Sequence, residues 1–357
     1  MNIHKTVVIL LALLLAGMAM VPMVNAEQKD TIELTDNLSV STVELLKDPA
    51  INAIIESAKS VDNIPAGENN QTFLNSYKSP AEIIIEKMKG RGYSESQITT
   101  VLKSQEYNWD PKTGACWKGT APTEAELKVI NQIRGKDYSP FNRESDVQKS
   151  TLGIKTLRQE YRQMKTTSGT TYFGVNDYMK PGQMVTSSSG TNQHVVTTHV
   201  GRKPSPSTEC WTEAGVADSV ADPQRRYFTY DNDEGGWSFH GNAGASTLSN
   251  YEIYVTSTQE SAGYKYHIWL DSAWVRSGHL AFRENFIDQA NEIWADGSNP
   301  FSSDPSITEF KDSTLYQSSG NDRWATNVPT NFNSVGSSIS ESRVVSGNAY
   351  DWQMWIP

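Results

Sequence analysis

The second half of the chain consists of short runs of strand-forming residues, and this pattern constrains the fold more than any other feature. From about residue 165, segments rich in Val, Thr, Tyr and Trp alternate with turn sequences. The pattern predicts strands near residues 172–175, 193–201, 209–216, 226–231, 251–258, 264–270, 290–295, 307–316 and 352–356. Many short strands at this spacing are typical of a mainly β, antiparallel sandwich or barrel.

The first half of the chain has helical patterning instead. Residues 79–90 open with Ser-Pro and close with Gly, which are common start and stop signals of a helix. Residues 94–97 match a capping box, and Pro122 precedes a third apolar-periodic segment. We therefore expect a helical region over residues 27–165 and a β-sandwich domain over 166–357.

Three stretches have weaker patterning. Residues 27–78 are polar and at best partly helical, and residues 317–350 are rich in Ser and Asn, which predicts a surface loop. The stretch from 282 to 290 fits either one helical turn or a loop.

Residues 1–26 predict a secretory signal peptide. Lys5 supplies a basic start, residues 7–20 form an apolar core, and Val-Asn-Ala at 24–26 resembles a cleavage site. No later stretch reaches the ~20 apolar residues that a spanning helix needs, so we expect a secreted protein without a membrane anchor once the signal is removed. The net charge of −10 and the lack of a basic run argue against nucleic-acid binding.

The chain has two cysteines, Cys116 and Cys210. Export permits a disulfide, and two cysteines allow one intramolecular pairing, Cys116–Cys210. A single disulfide is too few to hold a fold of this length, so an apolar core has to do so. The 10 Trp, 15 Tyr and 10 Phe residues are sufficient to build one.

Two glutamates, Glu213 and Glu292, are the candidates for chemistry. Each lies in a predicted strand with a tryptophan two residues away, Trp211 and Trp294 respectively, so alternation places each Glu and its Trp on one face. Two carboxylates that share a site can act as acid and base. The alternative is that both glutamates lie on a solvated outer face of the sheet.

The sequence around these glutamates resembles two related groups of glutamic peptidases. Residues 210–218 (Cys-Trp-Thr-Glu-Ala-Gly-Val-Ala-Asp) and 226–231 (Arg-Tyr-Phe-Thr-Tyr-Asp) resemble a neprosin phrase whose glutamate is catalytic. Eqolisins have a glutamine at that position, so the chain is neprosin-like there. Residues 291–294 (Asn-Glu-Ile-Trp) resemble the eqolisin phrase that holds the second catalytic residue. The resemblance covers roughly residues 170–357.

The resemblance implies a concanavalin-like jelly-roll sandwich whose concave face binds a polypeptide substrate. Glu213 and Glu292 would be the catalytic pair, one activating a water and the other protonating the leaving amine, with activity highest in acid. We expect no metal or other cofactor, since His194 and His199, five apart in one strand, point to opposite faces. Candidate groove-wall residues, each of which could equally be a core residue, are Trp211, Trp294, Tyr230 and Trp269.

Other functions remain open at this point. Jelly rolls also serve as non-catalytic carbohydrate- or cell-surface-binding modules, and paired glutamates on such a fold also cleave glycosidic bonds. The order of signal, helical region and sandwich indicates a precursor, in which the helical region is either a propeptide that shields the groove or a domain that stays attached.

Overall fold

The computed structural model describes residues 40–62, 70–134, 151–152, 155–156, 158–167, 172–182, 193–205, 208–219, 225–295, 307–336, 339–346 and 349–355. The predicted signal peptide, residues 1–26, lies outside these ranges. The chain divides into two units, Met1–Glu44 and Leu45–Pro357, and all of the strands belong to the second. Within the described residues, no helix has both the length and the apolar character needed to cross a membrane.

Most described residues of the second unit form strands. In chain order they are β1 (Asn108–Trp109), β2 (Cys116–Trp117), β3 (Thr151–Leu152), β4 (Lys155–Thr156), β5 (Arg158–Thr166), β6 (Tyr172–Lys180), β7 (Gln193–Ser205), β8 (Thr208–Ser219), β9 (Arg226–Asp231), β10 (Gly236–Asn242), β11 (Ser249–Glu260), β12 (Gly263–Leu270), β13 (Ala273–Leu280), β14 (Phe286–Ala295), β15 (Thr308–Gln317), β16 (Gly320–Arg323), β17 (Thr330–Val335), β18 (Ser340–Ser346) and β19 (Ala349–Trp355). Each of the nine predicted strands overlaps one of these.

Two antiparallel sheets contain nearly all of these strands. The seven-stranded sheet has the order β10-β9-β8-β7-β14-β5-β17. The ten-stranded sheet has the order β1-β2-β13-β12-β11-β6-β15-β19-β18, with β16 paired to β15. The chain alternates between the sheets, so strands distant in sequence become neighbours, as in jelly rolls. The predicted fold class, a mainly β antiparallel jelly-roll sandwich, is confirmed.

Apolar side chains of the two sheets form the core. Because side chains alternate along a strand, each sheet turns one row of residues inward. Val196 and Val200 of β7 and Val175 and Ile253 of the ten-stranded sheet are fully buried in one cluster.

Six described helices precede or flank the first strands. They are α1 (Val40–Lys47), α2 (Pro49–Lys59), α3 (Gln71–Ser76), α4 (Pro80–Gly90), α5 (Glu95–Ser104) and α6 (Glu124–Arg134). Both α4 and α5 begin with a capping box, formed by Ser79 with Glu82 and by Ser94 with Gln97. In each box, side chains satisfy backbone N–H groups that a helix start leaves unpaired.

Helices α3 and α4 pack against the outer face of the ten-stranded sheet. Alternation along β12 turns Tyr266 toward the seven-stranded sheet, and His267 and Trp269 toward the helices. The ring of Tyr77 lies 5.0 Å from both the His267 and the Trp269 ring. The Glu82 carboxylate of α4 accepts a hydrogen bond of 2.6 Å from Lys265 Nζ. This helical layer therefore covers rings that would otherwise meet solvent.

The strand content exceeds the sequence prediction in several places. Strands β10 and β13 and the short strands β1 to β4 were not predicted. Residues 282–290, predicted as a helical turn or a loop, include the start of β14. The prediction of a surface loop over residues 317–350 is wrong, because β16, β17 and β18 lie there. Strand β5 precedes residue 165 and lies inside the seven-stranded sheet, between β14 and β17. Polar, Ser- and Asn-rich strands such as β17 lack the alternation by which strands are recognised.

Three buried carboxyls lie between or within the sheets. Burial raises the pKa of Asp177 to about 6, although hydrogen bonds from Thr198 and Gln289 lower it. Burial also raises the pKa of Asp231 and of Glu252 to about 7. Such groups keep their protons to higher pH in the folded chain than in the unfolded chain, so their contribution to stability falls as pH rises from about 4 to about 7. Buried His240 and His267 act in the opposite sense, since burial lowers their pKa values to about 3 and 4.

We predict that Asp177→Asn removes one component of this pH dependence. The free energy of unfolding of the variant should improve relative to wild type by about 2–3 kcal/mol between pH 4 and pH 7, because wild type alone has to give up a buried proton. Urea unfolding at both pH values measures the change, and exposed Glu86→Gln is the control. An equal difference from wild type at both pH values would contradict the prediction.

We also predict that Lys265→Met destabilises the protein by about 2–3 kcal/mol at pH 7, since it leaves the Glu82 carboxylate in the helix–sheet contact without its cation. Burial alone would raise the pKa of Glu82, but His267 and Lys265 lower it to about 2. The loss should therefore be complete above about pH 4.5 and shrink as pH falls toward 2. Lys59→Met, which breaks an exposed pair with Glu56, should cost less than ~0.5 kcal/mol.

Candidate active site

The two partners of β7 place three ionisable side chains in one row. Glu213 of β8 is paired with His199 of β7, and His199 is paired on its other side with Asp288 of β14. Directly paired residues point to the same side of a sheet, so all three lie on the face of the seven-stranded sheet that is turned away from the core. We call this face the site face. The side chains of Glu213, His199 and Asp288 are fully buried.

The Glu213 carboxylate has two close polar neighbours on β7. Thr197 Oγ1 donates a hydrogen bond of 3.0 Å to Oε2, and His199 Nε2 lies 2.8 Å from the same oxygen. The His199 contact does not meet hydrogen-bond geometry, so it is a close approach of the ring nitrogen rather than an aligned bond. A buried carboxylate requires such partners, because transfer from water of an uncompensated charge is costly.

Asp288 completes the row on the other side of His199. Its Oδ2 lies 3.7 Å from His199 Nδ1 and accepts a hydrogen bond of 2.5 Å from Gln163 Nε2 on β5. The imidazole therefore has a carboxylate facing each ring nitrogen. A proton on either nitrogen can move toward a carboxylate, which makes the row capable of acid–base chemistry.

Glu292 lies on the same face but not in the same row. It is paired with Val195, four residues along β7 from His199. Strand spacing of about 4.8 Å and a rise of about 3.3 Å per residue put the Cα atoms of Glu213 and Glu292 roughly 16 Å apart. The structure thus brings Glu213 together with His199 and Asp288, while Glu292, which is also fully buried, lies further along the site face.

The predicted aromatic wall is partly assembled beside Glu213. The Trp211 ring lies 5.4 Å from His199 and 4.9 Å from Tyr230, and Tyr230 in turn lies 5.0 Å from Trp237. Trp237 of β10 extends this row and was not singled out in the sequence.

The two other predicted wall residues are placed differently. The backbone of Trp294 pairs with Gln193, which puts it on the site face with Glu292, and its side chain lies outside the described residues. Trp269 belongs to the ten-stranded sheet and is fully buried beneath the helices, against Tyr77.

Helix α6 lies over part of the site face. Ile130 of α6 is 4% exposed and packs in a cluster with side chains from β7, β8, β9 and β10. Those side chains are Val195, Ala217, Phe228, Trp237 and Phe239. Glu126 of α6 forms an ion pair with Arg226 of β9. Because Val195 is paired with Glu292, α6 covers the site face at the level of the second glutamate.

The two cysteines have separate surroundings. Cys116 Sγ lies 3.7 Å from Ser79 Oγ, and Cys210 Sγ accepts a hydrogen bond of 3.0 Å from the Ala281 backbone N–H. Both are buried thiols. The Cys116–Cys210 tether stays a prediction. Among the described residues, no group of three or more His, Cys, Asp or Glu side chains is placed to hold a metal ion.

Sequence reasoning missed His199 and Asp288 as site residues. Alternation shows that His199 and His194, five apart, point to opposite faces, and His194 does contact Asn291 on the other side of the sheet. Which face carries Glu213 depends on how β7 pairs with β8 and β14, and that register is non-local. The pairing of Asp288 with His199 could therefore not be read from either segment alone.

Comparisons with known proteins find structural neighbours. No protein-family model and no curated protein sequence matches the chain. A scytalido-glutamic peptidase bound to a peptide-based transition-state analog matches with a TM-score of 0.38 and 12% identity, over 57% of this chain and 100% of that one. SCP-B, an eqolisin-family peptidase in complex with the tripeptide Ala-Ile-His, matches with a TM-score of 0.34 and 11% identity, over the same shares. A Bacillus licheniformis beta-glucanase matches with a TM-score of 0.25 and 11% identity, over 56% and 78%.

These neighbours include both peptidases and glycan-active proteins. At such TM-scores and identities they carry no argument for a shared activity, and the chemistry has to be argued from the site itself.

We predict that His199→Gln and His194→Gln, two changes in one strand, have different effects. The first leaves the Glu213 and Asp288 carboxylates buried without the ring between them and should cost about 3 kcal/mol or more. The second should cost about 1 kcal/mol, because it changes a hydrogen bond to Asn291 and leaves no carboxylate without its neighbour. Urea unfolding at pH 6 measures both, and equal losses would contradict the account of the Glu213 row.

Proposed function

We propose that the protein is a secreted, acid-acting peptide hydrolase in which Glu213 is the general base. The observation that carries the proposal is the row on the site face: a fully buried Glu213 carboxylate, 2.8 Å from His199 Nε2, with Asp288 on the far side of the ring. Ionisable groups buried together on a groove surface are more typical of catalysis than of packing.

The mechanism needs one base and one acid on the same bond. Glu213 takes a proton from a water molecule whose oxygen attacks the carbonyl carbon of the peptide bond. The carbon–nitrogen bond then breaks, and the leaving amine receives a proton from the acid. The register favours His199 and Asp288 as the group that supplies it, because they are level with Glu213. Glu292, the partner expected from the eqolisin-like phrase, is the competing candidate.

The sequence supports the peptide-hydrolase proposal at Glu213. The Glu-Ala-Gly phrase over residues 213–215 resembles the neprosin phrase that holds a catalytic glutamate. Gly215 has a structural reason to be there, because a Cβ at this position would lie 2.2 Å from the Val196 carbonyl oxygen. Within residues 213–215, Glu213 thus supplies the carboxylate, and Gly215 allows β8 to approach β7 closely.

We further propose that the protein is made as a precursor in which α6 shields the groove. A cut that keeps the seven-stranded sheet whole has to come before Arg158, since β5 is an inner strand. Residues 45–117 would remain with the sandwich after such a cut, because β2 pairs with β13 and Tyr77 covers Trp269. The secretory signal and the Cys116–Cys210 tether belong to this proposal.

A carbohydrate-binding module is the second candidate. The row of Trp211, Tyr230 and Trp237 favours it, because aromatic faces stack on sugars. In the present structure, however, Trp211 is 2% and Trp237 9% exposed, and each of these rings packs against Tyr230. Sugar binding would therefore require α6 and the rings of Trp211, Tyr230 and Trp237 to move. Peptide binding would require the same movement.

We predict that Glu213→Gln and Asp288→Asn each lower kcat/KM for a denatured protein substrate by about 10³-fold or more at pH 3–6, since each removes an acid–base group. Glu209→Gln is the matched control, because Glu209 lies on the same strand and face but pairs with Lys203. The assay uses secreted protein after limited proteolysis. Full activity in both Asp288→Asn and Glu292→Gln would exclude both candidate acids. Loss of activity in Glu292→Gln with Asp288→Asn fully active would assign the acid role to Glu292 instead of Asp288. An inert wild type would contradict the proposed function and lead to a glycan-binding screen.

A further inference from the structure

Helix α6 places an acidic and an aliphatic side chain on the site face. Glu126 is the third residue of the helix, and its Oε2 accepts a hydrogen bond of 2.6 Å from the Thr123 backbone N–H, as in a capping box. Its Oε1 faces Arg226. Ile130, one turn later, enters the cluster formed by Val195, Ala217 and Phe228 with two rings of β10.

The receptor for Glu126 is built on neighbouring strands. The Arg226 guanidinium lies 3.7 Å from the centre of the Phe239 ring, which restricts the orientation of the side chain. Arg226 is paired with Ala217, and Ala217 with Val195, so the acidic and the apolar contacts follow one line across β9, β8 and β7. A planar guanidinium held in this way is well suited to a carboxylate.

A cavity of about 480 Å³ opens beside this receptor. Arg226 and Phe239 form part of its wall, together with Lys118, Thr120 and His240. His240 Nδ1 is buried and, within the described part of the chain, has no hydrogen-bond partner. Burial lowers the pKa of His240, and the charges of Arg276 and Lys118 lower it further. The two cations of the wall are paired in this structure, Lys118 with Asp62 and Arg226 with Glu126, and a ligand carboxylate could take the place of Glu126.

The spacing of Glu126 and Ile130 can be reproduced by a peptide. Side chains four apart on a helix have Cβ atoms about 5–6 Å apart. In an extended peptide, side chains two apart lie on one face at about 6.6 Å, from a rise of about 3.3 Å per residue. An extended segment with an acidic and an aliphatic residue two positions apart can thus make the contacts that α6 makes.

We infer that the Arg226–Phe239 contact and the apolar cluster around Val195, Ala217 and Phe228 are two substrate subsites, for an acidic and an aliphatic side chain of an extended peptide. In the present structure α6 occupies both in cis. This inference rests on the proposed function, since it names the peptide class that the groove selects. Helix α6 then acts as a competitor of the substrate as well as a cover.

Peptide binding, measured without cleavage, tests these subsites. The full chain carries Glu213→Gln to prevent turnover, and the opened form adds Glu126→Ala and Ile130→Ala to weaken the hold of α6. The probe is a fluorescein-labelled, glycine-flanked peptide with Glu and Ile two positions apart. Matched probes replace Glu by Gln or Ile by Ala. Fluorescence anisotropy at pH 6 and low salt gives Kd, and circular dichroism checks that every variant is folded.

The opened form should bind the Glu probe at least about 10-fold more tightly than the Gln probe, and more tightly than the Ala probe. The closed form, with Glu213→Gln alone, should bind it at least about 10-fold more weakly, because α6 competes. Arg226→Gln in the opened form should remove the preference for Glu over Gln, and Arg226→Lys should retain part of it.

Three results would overturn the inference: no binding by a folded opened form, equal Kd values for the Glu and Gln probes, or a preference that survives Arg226→Gln. The absence of binding by a folded opened form would indicate that α6 is a permanent part of the fold. The proposed function has a separate test, because the subsites can bind peptides without turnover. It fails if activated wild type cleaves no protein. Cleavage without an acidic preference would leave the proposed function standing and remove the subsites.

Discussion

The pairing of β7 with both β8 and β14 is the constraint on which the site depends. It brings Glu213, His199 and Asp288, which lie far apart in sequence, into one row across three strands. Because the register of a sheet has period two, a slip of one residue in either pairing would turn a carboxylate to the opposite face. The Glu213 row thus exists only with this register, and Thr197 and Gln163 then fix the two carboxylates from the same face.

The helical layer is part of the sandwich. Tyr77 covers Trp269, Tyr107 lies edge-on to Trp274 at 5.7 Å, and the β1–β2 hairpin extends the ten-stranded sheet through β13. Helix α6 differs, since its described contacts are with the site face of the seven-stranded sheet. In the proposed precursor, α6 is therefore the segment that shields the site, and residues 45–117 are the segment that stabilises the sandwich.

Much of the architecture could be predicted from residues 165–357, because a strand with alternating apolar residues can be recognised from its own sequence. The helix start at Ser79 and the capping box at Ser94 could be predicted in the same local way. Strands β17 and β18 could not be recognised, because their polar residues are held in place by neighbours such as β5 and β19. The face shared by Trp211 and Glu213 followed from alternation, whereas the approach of His199 and Asp288 to Glu213 required the non-local register.

The central claim is that Glu213 is a base on a groove that α6 covers. The most direct measurement is labelling of carboxyl groups with a water-soluble carbodiimide and an amine at pH 5, before and after limited proteolysis, with the modified residues mapped by mass spectrometry. The account predicts that Glu213 is protected in the intact chain and labelled after α6 is released, and that peptidase activity falls in step with labelling at Glu213. Full labelling of Glu213 with activity intact, or equal labelling before and after proteolysis, would contradict it.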